Sequence, residues 1–250
     1  MIRAALLTLA AFVLMGQRDP VLVPEVSQHE VQVRQGFVGQ ELLLFGAILD
    51  PSGGPGEEYD IVVVLKGPSE PIRLREKERF AGVWINAESS DFRSVPSYFA
   101  VASSRPINEI VDDKTAAIYE FGTDYIQLSP SGSIEPAVER RFAAGLVDLK
   151  RRQGLYREDF GGVQINEGVL YQARIELPSN VTTGTYSAET FAVTRGRVIA
   201  SALSEVEVRK VGFERVVENG ANNWGLAYGL LAVMLSVGMG WGAGRLFARL

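Results

Sequence analysis

Between Trp224 and Gly244 the chain reads WGLAYGLLAVMLSVGMGWGAG, twenty-one residues without a charge. No other feature restricts the fold so strongly. A helix of that length rises about 30 Å, which matches the hydrocarbon core of a bilayer. Trp224 and Tyr228 stand at one end and Trp241 at the other, where amphipathic rings favour the membrane interface. Arg245 and Arg249 follow the run, while the preceding flank VENGANN carries only a negative charge. The positive-inside rule then places residues 245–250 in the cytoplasm and the bulk of the chain outside.

The opposite end agrees with that orientation. Arg3 precedes an apolar run from Ala4 to Met15, too short to span a bilayer and patterned as a secretory signal peptide over residues 1–16. Leu14 is large for a cleavage site, so an uncleaved N-terminal anchor is the other reading. Gln17 stands where a lipidated cysteine would be, which removes lipid anchoring. The expected layout is a periplasmic domain over 17–217, a linker over 218–223, a membrane helix over 224–244 and a cytoplasmic tail. This is a single-pass protein of the inner membrane. With a linker of six residues, the domain sits close to the membrane surface.

The exported part reads as mainly β. Val31 and Val33 alternate with Glu30, Gln32 and Arg34, and Leu42 to Ile48 is a continuous apolar run, as in a strand covered on both faces. The turn at Gly36 to Gly39 makes these an opening pair of strands. Asp50 to Glu58 is a loop, and Ile61 to Leu65 (IVVVL) is a buried strand ended by Gly67-Pro68. Short strands follow at Ile72–Arg75, Arg79–Asn86 and Tyr98–Ser103. The period then changes. Asn108 to Ile126 predicts an amphipathic helix broken near Gly122, and Val138, Phe142, Leu146 and Leu149 mark a second one. The polar side of that helix carries Arg140, Arg141, Lys150, Arg151 and Arg152, which suit either a solvated face or lipid headgroups.

Strand patterns return after Gly162, with Val169–Leu177, then PSNVTTG, then Gly184-Thr185-Tyr186 opening the next strand. That layout is frequent in β-sandwiches, and Tyr186 reads as a corner tyrosine. The late strands are too few to close a sandwich alone, so they should pair with the early ones. The expectation is one immunoglobulin-like β-sandwich with a helical insertion at about 107–157. Two separate sandwiches is the alternative.

The residues offer little chemistry. A net charge of −5 argues against nucleic acid, and the absence of cysteine removes disulfides and thiolate metal sites. His29 is the only histidine, so any Ser-His-Asp site must use it. Strand alternation places it on the face of Val31 and Val33, as a half-buried, hydrogen-bonded side chain or a contact residue. Nucleophile-elbow, zinc-protease, P-loop and dinucleotide glycine patterns are missing. Gly53-Gly54-Pro55-Gly56 has no following lysine or helix and reads as a turn. Asp112 and Asp113 read as first-turn charges. Trp84 and Asn86 share one strand face, either as a recognition surface or as core packing with Asn86 capping a turn. In the membrane run, Gly225, Gly229, Ala232, Ser236, Gly240 and Ala243 fall on one stripe, which lets another helix approach closely.

Three blocks carry a resemblance: Pro24–Ile48 with Ser27, His29, Phe37, Gly39 and Leu44-Phe45-Gly46-Ala47; Gly82–Ile107 (GVWINAESSDFRSVPSYFAVASSRPI); and LPSNVTTGTYSAETF with the final apolar segment. Together they resemble an uncharacterised alphaproteobacterial family described as "putative transmembrane protein", over essentially the whole chain. The resemblance implies an exported domain on a terminal membrane helix. Because members look to be encoded beside sulfite-exporter-type permeases, it also implies a role near anion or sulfur-compound transport.

The resulting expectation is a non-enzymatic, membrane-anchored periplasmic binding or assembly module, without cofactor or metal, accessory to a membrane transporter. Its partner would be a permease or a second copy through the membrane helix. The competing readings are a self-associating structural envelope protein and a periplasmic hydrolase using His29.

Overall fold

The structure is a computed structural model that describes residues 20–33, 38–49, 58–132, 135–210 and 221–247. The expected signal peptide, most of the loop after Leu49, the first half of the expected linker and residues 248–250 lie outside these residues. Two compact units are present, a β-rich body ending at Val208 and a unit that contains the terminal helix.

The body is built from thirteen strands among the described residues: β1 (Val21–Val26), β2 (Glu30–Val33), β3 (Gly39–Leu49), β4 (Asp60–Lys66), β5 (Ser69–Phe80), β6 (Val83–Pro96), β7 (Phe99–Ser103), β8 (Ser129–Pro130), β9 (Tyr156–Phe160), β10 (Val163–Asn166), β11 (Leu170–Pro178), β12 (Gly184–Thr194) and β13 (Arg197–Lys210). They form three sheets, ordered β1-β3-β11-β10, β2-β13-β12-β4-β7-β9 and β5-β6-β8. Early and late strands pair, as the strand count required: β3 lies beside β11 and β4 beside β12. The first two sheets pack against each other, since apolar faces of both must leave water. The protein is thus mainly β. The helical excursion lies between β7 and β9, which pair in parallel; the mainly β class is as expected, and the strand order does not itself establish an immunoglobulin-like sandwich.

Strand β4 shows why IVVVL is apolar without interruption. Its residues Ile61 to Leu65 are all 0–1% exposed. Phe191 of β12 lies across from Val62, and its ring meets Phe121 edge-on at 5.0 Å and Tyr119 at 5.3 Å. The helical insertion therefore covers that face. Ile61, Val63 and Leu65 point the other way, toward the four-stranded sheet. A strand covered on both sides has no position left for a polar residue.

Several expectations need correction. β2 and β3 are consecutive but lie in different sheets, so the opening stretch is a crossover and not a hairpin. β1 precedes it and pairs with β3, although Pro24 interrupts its sequence pattern. In β3 the apolar run is covered unevenly. Leu42, Leu44 and Ile48 are buried, while Phe45 is partly exposed. Gly46 fits because a Cβ there would stand 2.6 Å from the Tyr171 hydroxyl and collide with the Val23 carbonyl. Only hydrogen allows β1 and Tyr171 to close over the strand.

The first predicted helix is three pieces: α1 (Ile107–Ile110), α2 (Asp113–Tyr119) and a 3-10 turn (Thr123–Tyr125). The break near Gly122 is present. The earlier break comes from Asp112, which is an N-cap whose carboxylate accepts from the Thr115 N–H at 2.9 Å. Next comes α3 (Pro136–Arg152), whose Phe142 and Leu146 are buried. Tyr186 forms the predicted corner, donating from its hydroxyl to the Thr182 carbonyl at 2.7 Å. The last helix, α4 (Gly225–Phe247), belongs to the other unit and is exposed from Gly225 to Arg245.

Candidate functional site

Strands β5 and β6 continue for twelve and fourteen residues, longer than any sheet partner beyond themselves. They are joined by a two-residue turn, Ala81 and Gly82, with φ of 50° and 87°. Positive φ at both positions is the turn that matches the twist of a hairpin. The segment Arg79–Asn86, expected to be one strand, is therefore the tip of a hairpin.

The two ends of this hairpin have different surroundings. At its base, Phe92 and Val95 pack with Phe142 and Leu146 of α3, joined by Ile72, Leu74, Leu128 and Val138. Midway, Arg141 of α3 reaches Glu76 at 3.1 Å and also pairs with Glu88. Beyond that point α3 no longer covers the ladder. Phe80, Val83, Trp84 and Ile85 are 70%, 64%, 65% and 44% exposed. Trp84 is not core, and Asn86 pairs in the ladder with Lys77 instead of capping a turn. The register places Arg79 across from Trp84, Lys77 across from Asn86 and Arg75 across from Ser89. Alternation therefore puts Arg75, Lys77, Arg79, Trp84 and Asn86 on one face. Phe80, Val83 and Ile85 alternate with these and lie on the other face of the same tip, and the sequence pattern missed both them and the three cations. Basic residues at every second position, 73 to 79, were the available signal.

Four of the five cations expected on the polar side of α3, all but Arg140, are held in ion pairs among the described residues. Besides Arg141, Arg151 approaches Asp124 at 3.1 Å and Glu158 at 3.4 Å, and Arg152 meets Asp148 at 2.5 Å. Lys150, expected on the polar side, is buried and reaches Glu70 of β5 at 3.4 Å. Glu158 also accepts from the Thr123 N–H and hydroxyl, each at 2.6 Å, so these ion pairs clasp the insertion to β9.

His29 lies one residue before β2, so strand alternation does not reach it. It is exposed, not half-buried, and its Nε2 stands 3.1 Å from Glu25 Oε1. Its carbonyl accepts from the Glu207 N–H at 2.8 Å, which helps fix the edge of the six-stranded sheet. Neither Trp84 nor Asn86 joins it in one site. Among the described residues, no group of three His, Asp or Glu side chains stands close enough to hold a metal ion.

In α4, the stretch Gly225–Arg245 is long and apolar enough to cross a membrane. Gly225, Gly229, Ala232, Ser236 and Gly240 occupy one stripe of that helix. A Cβ on Gly225, Gly229 or Gly240 would meet no other atom within 4 Å, so packing inside the described chain does not require glycine there. Ser236 donates its hydroxyl to the Ala232 carbonyl at 2.9 Å, which satisfies its polar group within the helix. Arg245 folds over the Trp241 ring at 5.5 Å from its centroid, at the end where a headgroup region is expected.

Comparison with known proteins gives one family. The model described as Putative transmembrane protein (Alph_Pro_TM) matches residues 21–249. No curated protein matches the chain.

Proposed function

We propose a function from one premise, that the chain belongs to the Putative transmembrane protein family matched over residues 21–249. It is a membrane-anchored protein. On our reading it is a non-enzymatic accessory module that holds its β-rich domain at the periplasmic face of the inner membrane. Its terminal helix packs against an integral membrane permease. The observation that carries this is the stripe Gly225, Gly229, Ala232, Ser236 and Gly240, whose glycines serve no packing need within the described chain. In a bilayer, small residues allow close backbone approach between helices, because lipid tails supply no hydrophobic drive. The cations Arg245 and Arg249 after the helix support a cytoplasmic C-terminus. The resemblance described above supports an exporter of sulfite or a related anion as the permease. A non-enzymatic role is supported by the one histidine being exposed and engaged with Glu25.

The test is purification of the full-length protein in mild detergent with identification of the membrane proteins that accompany it, compared with Gly229→Leu and Gly240→Leu. The variants should lose the partner. Equal recovery would remove helix packing from the proposal. Crosslinking that yields only copies of this chain would replace the permease by self-association through the same stripe.

A further inference from the structure

The β5–β6 hairpin ends in a surface that the helix-packing reading does not use. Four apolar side chains, Phe80, Val83, Trp84 and Ile85, surround a turn at which a Cβ on Gly82 would meet nothing within 4 Å. Soluble domains seldom leave such a cluster on a projecting tip without an occupant. The charges beside it are asymmetric. Glu76 and Glu88 are taken by Arg141 from α3. Asp91 is taken by Arg73, with contacts at 2.5 Å and 2.7 Å. Lys77 and Arg79 have no ion pair among the described residues. The distal part of the hairpin therefore presents Arg75, Lys77 and Arg79 against one carboxylate, Glu78.

We propose that this tip docks into the interface of an anionic phospholipid bilayer, with Trp84, Phe80, Val83 and Ile85 at the acyl boundary and Lys77 and Arg79 on headgroup phosphates. Three features select lipid over a protein groove. The apolar residues are at the extreme end of the element, where they enter a fluid interface without needing a complementary pocket. Trp is the side chain best suited to that depth, having an apolar body and an N–H donor that finds water or phosphate. The cations stand behind the apolar tip on the same ladder, at 3.2–3.4 Å per residue, which places them within the headgroup layer when the tip is at its inner edge. A chain that also carries a membrane-crossing helix always has such an interface nearby. The hairpin then acts as a second, weaker attachment to the bilayer.

The full-length protein, with Trp224→Phe and Trp241→Phe so that Trp84 is the remaining tryptophan, is reconstituted into vesicles. One set is phosphatidylcholine alone, and the other contains phosphatidylglycerol. Lipids brominated along the acyl chain report depth, and iodide in the aqueous phase reports exposure. The proposal expects bromolipid quenching and iodide protection of Trp84 in anionic vesicles, both weaker without anionic lipid. Lys77→Gln and Arg79→Gln should each lower the docked-to-free ratio about fivefold. Unchanged thermal unfolding of these variants shows that the fold is retained. Full iodide access with no bromolipid quenching in both vesicle types overturns the proposal. So does a photocrosslinker at position 84 that, in native membranes, labels a protein and no lipid.

Discussion

Strand β4 and the β5–β6 tip are both short apolar runs, and they meet opposite fates. Ile61 to Leu65 are excluded from water on both faces, whereas Phe80, Val83, Trp84 and Ile85 stand largely in it. The difference lies in neighbours. β4 has β12 and β7 as ladder partners, one sheet below and the insertion's rings above. The tip has only its own other strand. An apolar run is therefore evidence of burial only where the fold supplies a second layer, and a clustered run without one marks a candidate surface.

The strongest way to break this contrast is a charge in β4. Val63→Asp places a carboxylate between two layers with no partner, which should cost about 5 kcal/mol or more and leave no folded body. Circular dichroism of the detergent-purified protein would show it. A variant that still melts cooperatively near the wild-type temperature would mean that β4 is not sealed.

The hairpin's own base offers the next test. Phe142→Ala empties the cluster formed with Phe92, Val95 and Leu146, and should lower stability by about 3 kcal/mol. The base would then loosen from α3 while the tip ladder persists. Hydrogen exchange that rises in α3 and near Phe92 but not in β4 would sharpen the comparison. Uniform loss of protection would show that base and core unfold as one unit.

How much of this was legible in the sequence depended on the range of the contacts involved. β4, β11, β12 and the Tyr186 corner could be read because their patterns are local and their burial is strong. The hairpin tip was misread because Ala81 takes a positive φ that its side chain does not announce; Asn-Gly or Asp-Gly would have. His29 was misplaced because alternation was extended one residue past the strand's start. Lys150 looked solvated because its partner, Glu70, is eighty positions away and no periodicity reports such a pair. The separation of β2 and β3 into different sheets is topology, which local turn signals do not encode. The stripe of α4 was visible from helical spacing alone, since a membrane helix keeps one geometry. What the stripe faces could not be read, because that information would lie on another surface.

Alkaline pH gives a smaller and selective effect. Burial pushes the Tyr186 hydroxyl up to about 12, and burial raises Tyr98 and Tyr156 as well. A folded-state value above the unfolded one means that the native state holds its proton more tightly. The associated stability is intact below about pH 10 and is lost as pH rises toward 12, on the order of 2 kcal/mol for Tyr186 alone. Denaturant midpoints measured from pH 8 to 11.5 should fall above 10. In Tyr186→Phe that decline should be shallower, with some stability missing at neutral pH because the Thr182 carbonyl loses its donor.

The smallest expected effect is the most informative about the tip. Trp84→Ser removes the largest side chain of the exposed cluster, yet the ring contributes no packing to any second layer. Stability of the full-length protein in detergent should change by less than about 0.5 kcal/mol, far below the loss at Phe142. The backbone ladder with Arg79 is retained, and serine is tolerated in a two-stranded arm. A loss above about 1 kcal/mol would mean that Trp84 is covered in the folded body, and the contrast with β4 would fail. A neutral result leaves a tryptophan whose presence the fold does not explain, and places its role at whatever surface the hairpin meets.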